Sequence, residues 1–354
     1  MASISLCMIV KDEEEVLGRC LKSAAGIADQ IVVADTGSRD GTKEIAAAFT
    51  DQVYDFAWTD DFAAARNFSF SKGTGEYLMW LDADDVIPEP EAEKILRLKK
   101  HLDTDPADVV MLKYAVGFDG NGCCICSFYR ERIIRRCPLA RWTGRVHEAV
   151  MPFGRVIQEN IRIEHRKVRI SDPGRNLRIF EKMLCSGESF GARELYYYGK
   201  ELYFHGKYQD AVKVLETFLG HPAGGFWEKM DACRHQALCF YGMKKKNEAW
   251  RILDRALKQF GPEAELCCDM GWWYFSEQRY REAAVWYLTA LKYGRQNSGS
   301  FQRECHGLIP CRQLGICFEK MGMKQEAAFY RQLAVQQFST CSDRGRDRIG
   351  SSVI

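Results

Sequence analysis

The chain has 354 residues, 46% of them hydrophobic and 28% charged, with a formal net charge of +2. That composition excludes a disordered chain and is enough for two domains with cores of their own. The near-neutral balance gives no general attraction to nucleic acid or membrane, so electrostatic steering has to come from local clusters.

Met1-Ala2-Ser3 leads into the apolar run Ile4 to Val10. This run is too short to span a bilayer and lacks the basic start and cleavage site of a secretory signal, so it reads as a buried strand. The 15 cysteines are an odd number, and many, such as Cys233, Cys239 and Cys317, sit at apolar helical positions. Reduced thiols in a cytoplasmic protein are the expectation. Cys123-Cys124-Ile125-Cys126 holds a C-x-x-C with no second pair at zinc spacing, and reads as a hairpin strand.

After the first strand, Asp12 is expected to begin a helix whose apolar positions are Val16, Leu17, Cys20 and Leu21. A second strand, Ile31 to Ala34, ends in the turn cluster Asp35-Thr36-Gly37-Ser38-Arg39-Asp40-Gly41-Thr42. A third is expected at Gln52 to Phe56, and a fourth, Tyr77 to Leu81, runs into Asp82-Ala83-Asp84-Asp85. Strand and helix in alternation imply a mostly parallel, Rossmann-like α/β sheet covered on both faces. Such sheets bind ligands at the carboxyl ends of their strands, where Asp35 and Asp82 to Asp85 fall.

If the backbone stays extended through Asp82-Ala83-Asp84, both carboxylates share one direction. Crowded carboxylates repel unless a cation lies between them, and Mg²⁺ or Mn²⁺ bridging them to a diphosphate would relieve that repulsion. The other reading is that these acids cap the helix after Pro88.

The order of motifs decides between the two. Met8-Ile9-Val10-Lys11-Asp12-Glu13-Glu14, the Asp35 to Thr42 cluster, Ala65-Arg66-Asn67 and Leu81-Asp82-Ala83-Asp84-Asp85 follow one another. In this the chain resembles the family 2 glycosyltransferases of the GT-A fold over about residues 4 to 170. The resemblance implies a UDP-sugar donor held by Val10, Glu13, Asp35, Ser38, Arg66, Asn67 and Asp82. Asp35 would read the uracil base, Asp82 would serve the ribose or sugar, and Asp84 would be the principal ligand of a Mg²⁺ or Mn²⁺ ion.

Beyond the D-x-D, a strand from Asp108 to Val116, a turn at Phe118 to Gly122 and a returning strand from Cys126 to Ile134 read as a hairpin. Six arginines (130, 132, 135, 136, 141 and 145) stand against the single acid Glu131. They form either a solvated face or a set from which some, Arg145 included, steady a leaving diphosphate. In Arg141-Trp142-Thr143-Gly144-Arg145-Val146-His147-Glu148, Glu148 is the candidate base for the acceptor and His147 the alternative. The alternating run Ile161 to His165 ends in a histidine that the resemblance assigns to the metal. W-x-G-x-x-H-E with a later histidine looks like the branch that carries tetratricopeptide repeats, including the sublancin-type peptide S-glycosyltransferases.

Ser171-Asp172-Pro173-Gly174 is the expected boundary between a catalytic domain, 1–170, and an all-α repeat domain, 171–340. Four helix openings align on Ala211, Ala249, Ala283 and Ala327, separated by 38, 34 and 44 residues. That is close to the tetratricopeptide period of about 34. A stacked helical array suits a peptide or protein acceptor, or assembly into a homodimer. The tail 341–354, rich in Arg, Gly and Ser, reads as poorly ordered.

Two function classes follow. One is an inverting, metal-dependent transferase moving a sugar from a UDP-sugar to a Cys, Ser or Thr side chain, or to a cell-surface glycan. The other is a repeat scaffold with a vestigial transferase domain. The intact set Asp35, Asp82, Asp84, Glu148 and His165 favours the enzyme, and the absence of an amphipathic or spanning segment favours a peptide acceptor over a lipid-anchored one.

Overall fold

The computed structural model describes residues 1–118, 122, 124–168, 172–293 and 303–343. It divides into two compact units, the first made of Met1–Gly117 with Ser127–Glu188, the second of Phe118–Cys126 with the chain from Ser189 onward.

The first unit contains β1 (Ile4–Val10), α1 (Leu17–Ala24), β2 (Gln30–Asp35), α2 (Thr42–Ala47), β3 (Val53–Asp55), α3 (Phe62–Lys72), β4 (Tyr77–Met79), β5 (Asp85–Val86) and α4 (Glu89–Thr104). There follow β6 (Val109–Phe118) and β7 (Cys124–Arg135), apart from the stretch Phe118–Cys126, and then β8 (Trp142–Thr143), β9 (Ala149–Val150), β10 (Val156–His165) and α5 (Arg175–Cys185). One sheet has the order β3-β2-β1-β4-β7-β6-β10-β5, and β8 with β9 forms a small second one. Strands β3, β2, β1 and β4 run parallel. β1 is central, and all its side chains but one are buried, which is why its sequence is apolar without alternation.

Antiparallel pairings interrupt the parallel order, and two of them build the site. β7 lies against β4 with Met79 opposite Ile133, and β5 lies against β10 with Asp85 opposite His165. β10 runs parallel to β6 up to Glu159 and resumes at Arg162, leaving a two-residue bulge. The Glu91 carboxylate of α4 accepts the Arg162 N–H at 3.0 Å, pairing a backbone donor beside the interruption.

Three expectations change. The helix expected from Asp12 begins at Leu17, because Asp12 takes a positive φ of 54° and its segment is tied to the β2–α2 loop instead. The first unit reaches Glu188, so α5, which follows the Ser171–Gly174 cluster, packs with it; Ile179 and Phe180 are buried. At the far end, the last helix continues to Asp343. The turn positions 119–121, Cys123, Ser171 and the tail 344–354 lie outside the described residues.

The second unit is helical: α6 (Ala192–Phe204), α7 (Tyr208–Gly220), α8 (Phe226–Gly242), α9 (Lys246–Phe260), α10 (Ala264–Ser276), α11 (Tyr280–Tyr293), α12 (Leu308–Lys320) and α13 (Lys324–Asp343). They pack as successive pairs, α6 with α7, α8 with α9, α10 with α11 and α12 with α13. This is a tetratricopeptide-type array. The aligned alanines 211, 249, 283 and 327 are all buried. Each lies twelve residues after a small residue of the preceding helix (199, 237, 271, 315), three of them glycine and one alanine. The glycines sit where helices touch: a Cβ on Gly199 would meet Leu215 at 2.5 Å, and one on Gly271 would meet the Tyr287 ring at 2.6 Å. Small side chains at these crossings let the helices approach closely. Buried polar bonds add specificity: Tyr196 and Lys200 both donate to Asp231, at 2.6 and 2.9 Å, and Arg234 donates twice to Asp269.

Gly271→Ala is therefore expected to cost about 1 to 3 kcal/mol by overpacking against Tyr287. Gly220→Ala, where a methyl meets nothing within 4 Å, should be neutral or mildly stabilising. Thermal melts of the two variants compare the positions directly.

Candidate active site

The rim of the site begins with two interlocked loops at the carboxyl ends of β1 and β2. Asp12 N–H donates to Ser38 Oγ (2.9 Å), Arg39 N–H to Asp12 (2.7 Å), Glu13 N–H to Thr42 Oγ1 (2.7 Å) and Gly41 N–H to Glu14 (2.9 Å). The Val10 carbonyl accepts from both the amide and the hydroxyl of Thr36. Val10, Glu13 and Ser38 thus shape the loops through backbone and hydroxyl bonds. Asp35, fully buried at the end of β2, accepts from the amides of Gly37 and Ser38 through Oδ2, while its Oδ1 is buried without a hydrogen-bond partner. A buried carboxylate oxygen left in this state is a natural acceptor for a ligand N–H.

The acidic segment does not stay extended. Asp85 N–H returns to the Asp82 carbonyl at 3.0 Å, and the Asp85 carboxylate accepts the Asp82 N–H at 3.0 Å. This turn points Asp82 and Asp84 toward different partners, contrary to the expected shared direction. Asp84 and Asp85 instead join His165, whose Nδ1 lies 3.2 Å from Asp84 and 3.3 Å from Asp85. The β5–β10 register brings them together, reinforced by a bond from Arg166 N–H to the Asp84 carbonyl at 2.9 Å. The three ligand atoms lie within 4.8 Å of one another. The two carboxylates suit either Mg²⁺ or Mn²⁺, and the imidazole tilts the set toward Mn²⁺.

Asp85 and Arg132 form a pair with both side chains fully buried, Nη1 to Oδ2 at 2.9 Å, and Arg132 also donates to the Trp80 carbonyl. The Arg132 guanidinium lies 3.7 Å from the Trp80 ring centre and 4.3 Å from that of Tyr114. Tyr114 meets His165 Nδ1 at 2.8 Å. Hydrogen bonds to Asp84 and Asp85 push the His165 pKa up to about 10.

Asp82 belongs to a second constellation. Arg66, nearly buried on α3, donates from Nη2 to Asp82 at 2.7 Å and from Nε to Glu148 at 2.6 Å. Burial opposes ionisation of Asp82, but the Arg66, Arg132 and Arg130 guanidiniums outweigh it and hold the carboxyl at about 2. Trp80 and Trp142 stand 4.8 Å from the Arg66 guanidinium. Asn67, expected at the nucleotide, instead binds the backbone of Trp142 reciprocally, donating to its carbonyl and accepting its N–H, both at 2.9 Å. His147 precedes Glu148 with a positive φ of 53° on the connection between β8 and β9.

The arginine cluster is dispersed. Arg132 is interior, Arg130 pairs with Glu131, Arg136 donates to the Gly75 carbonyl, Arg135 faces Asp108, and Arg145 pairs with Glu188 at 2.7 Å. Arg130 and Arg132, two apart on β7, share a face and both lie over Trp80, at 5.0 and 3.7 Å, while Arg135, Arg136 and Arg145 find separate partners. Three site residues went unread in the sequence. Asp85 stands beside the D-x-D pair with no pattern that marks it as a ligand, and Tyr114 arrives only through strand pairing. Arg175, whose guanidinium lies 4.6 Å from the Phe62 ring centre, has its pKa lowered by burial, although Asp172, Glu148 and Glu13 pull the other way.

A mostly parallel sheet with this acidic cluster beyond a central strand, followed in the chain by tetratricopeptide-type helices, has the layout of a GT-A unit with a repeat domain. Residues 5–124 match the family model Glycosyl transferase family 2. Glycosyltransferase SunS of Bacillus subtilis is 26% identical over 249 residues, covering 66% of this chain and 56% of that protein. A TPR repeat-containing protein of Synechococcus elongatus is 47% identical over 87 residues, covering 25% of this chain and 22% of that protein. The chain thus spans about half of one relative and a fifth of the other. Among solved structures, S. aureus TarS 1–349 has a TM-score of 0.42 at 14% identity, covering 73% of this chain and 91% of that one.

The His165 environment predicts a pH dependence. Its folded value of about 10 exceeds the ordinary 6.5, so in metal-free protein its stabilising contribution is full below 6.5 and is lost as pH rises through about 10. Urea unfolding should show the gap between wild type and His165→Gln narrowing across that window. A gap that does not change with pH would contradict the placement of His165 between two carboxylates.

Proposed function

We propose that the chain is an inverting glycosyltransferase that moves a sugar from a UDP-sugar to a peptide or protein side chain bearing a thiol or hydroxyl. The observation that carries this reading is the adjacency of two groups, the Asp84–Asp85–His165 cluster and the Asp82–Arg66–Glu148 unit, one suited to a diphosphate-bound cation and the other to acceptor chemistry. The motif order that resembles family 2 enzymes supplies the choice of uridine, and the unpartnered Asp35 Oδ1 is its acceptor for the base N–H.

Asp84, Asp85 and His165 would hold Mg²⁺ or Mn²⁺, whose charge would offset that developing on the departing diphosphate. Asp82 orients the donor ribose or sugar. Glu148 accepts the proton of the acceptor as its oxygen or sulfur bonds to the anomeric carbon and the bond to the diphosphate breaks, with His147 as the alternative base. Arg145 and Arg175 are the cations that remain near the rim for phosphate. The helical repeats present the acceptor, a role supported by their tetratricopeptide architecture. Among the described residues no helix is long and apolar enough to cross a membrane, and a cytoplasmic setting is part of this proposal. Assembly as a homodimer is the competing use of the repeats.

Calorimetric titration of UDP with and without Mn²⁺ tests the donor site. Binding is expected to strengthen with the metal, and Asp84→Ala should abolish that metal-dependent part. Equal affinity in EDTA and in Mn²⁺ would exclude a metal-bridged site. For the acceptor side, Glu148→Gln should preserve UDP binding while slowing transfer to a hydroxyl by about 10² to 10⁴. Retained turnover would move the base to His147.

A further inference from the structure

We infer that Arg66 is a positioning residue that fixes the carboxylate of Glu148 relative to Asp82, so that the acceptor-side base and the first carboxylate of the D-x-D segment form one rigid unit. The inference rests on Glu148 being the base.

The geometry specifies both carboxylates at once. Nε reaches Glu148 at 2.6 Å and Nη2 reaches Asp82 at 2.7 Å, so two positions of one planar fork are committed to two different acids. A guanidinium fixes direction as well as distance, which an ammonium does not. The Glu148 side chain is 12% exposed and that of Arg66 8%, which leaves little room for either to re-orient. Burial alone would favour loss of the Arg66 proton, yet Glu148 and Asp82 outweigh it and raise the pKa. The cation is permanent.

The surroundings also hold Arg66 still. Trp80 and Trp142 both bear on the guanidinium, their rings meet edge to face at 5.1 Å, and Trp142 is itself tied through its backbone to Asn67, the neighbour of Arg66 on α3. The start of the same helix is joined to the loop that carries Glu148, since Phe62 N–H donates to the Arg145 carbonyl at 2.9 Å. Helix, loop and ring stack therefore fix the same two carboxylates. A direct phosphate contact through Nε would break the pair with Glu148, and one through Nη2 the pair with Asp82. Positioning requires breaking none.

The test uses the full chain with Mn²⁺, measuring UDP release from UDP-glucose or UDP-N-acetylglucosamine, whichever wild type turns over, beside UDP affinity by calorimetry. Arg66→Lys keeps the charge but not the fork; it is expected to lower kcat about tenfold or more while UDP Kd stays within about threefold. The double variant Arg66→Lys/Glu148→Gln should be no slower than Glu148→Gln alone, because a residue acting through another has nothing left to act on once that partner is gone. Trp142→Phe loosens Arg66 without removing it. It should show the same pattern in milder form, and so serves if the lysine variant folds poorly. Multiplicative losses in the double variant, or UDP affinity falling in step with kcat, would overturn the positioning role and leave Glu148 as base. Wild-type kcat in Glu148→Gln would overturn the base assignment, and this inference with it.

Discussion

The ion pair between Arg132 and Asp85 has no solvent on either side, and a charge pair so placed persists only if its geometry is exact enough to repay desolvation. Arg132 comes from β7, Asp85 from the turn after β4, and the two meet because β7 runs antiparallel to β4. Replacing either partner alone would strand the other charge in the interior, at a cost of about 3 to 5 kcal/mol. The pair fixes the turn that separates Asp82 from Asp84, and so it decides which carboxylate serves which constellation. The Trp80 and Tyr114 rings shield the same guanidinium, which makes the floor of the site a packed aromatic and ionic layer rather than a flexible loop.

Much of the first unit was legible because local pattern and tertiary role coincide there. The apolar run at Ile4 to Val10 is a central strand, Asp35 ends the second strand in a buried position, and His165 closes the acidic cluster. The misreadings share a cause. Strand geometry alone gives Asp82 and Asp84 one direction, whereas Asp85, the next residue, accepts the Asp82 amide and bends the chain. Asn67 was read by its motif, but its amide serves the backbone of Trp142, 75 residues away in sequence. Of the six arginines only Arg130 and Arg132 stay together, two apart on one face of β7, while Arg135, Arg136 and Arg145 are taken up by Asp108, the Gly75 carbonyl and Glu188. Tyr114 and Arg175 carried no local signal at all, since their place depends on which strands and helices pack together.

The helical unit was legible for a different reason. Its contacts are mostly between neighbours in sequence, so a periodic pattern in the chain is a periodic pattern in space. The alanine register gave the repeat, and the glycine twelve residues earlier marks where the preceding helix crosses close by. Its departures from strict period, 38 and 44 residues against 34, arise in the longer α8, 17 residues against 13 in α10, and in the connection between α11 and α12.

The bulge in β10 governs which changes of length the chain tolerates. Its two extra residues preserve the alternation of the strand, so Ile161 and Ile163 stay inward and His165 arrives beside Asp85. Removal or addition of one residue between Val156 and His165 would reverse the parity and turn the imidazole to the other face of the sheet. A change of two would keep the face but displace the imidazole along the strand by about 6 to 7 Å. Length variation is therefore permitted ahead of the strand and forbidden within it. Spacing in this stretch is as much a determinant of the cluster as the identity of the histidine.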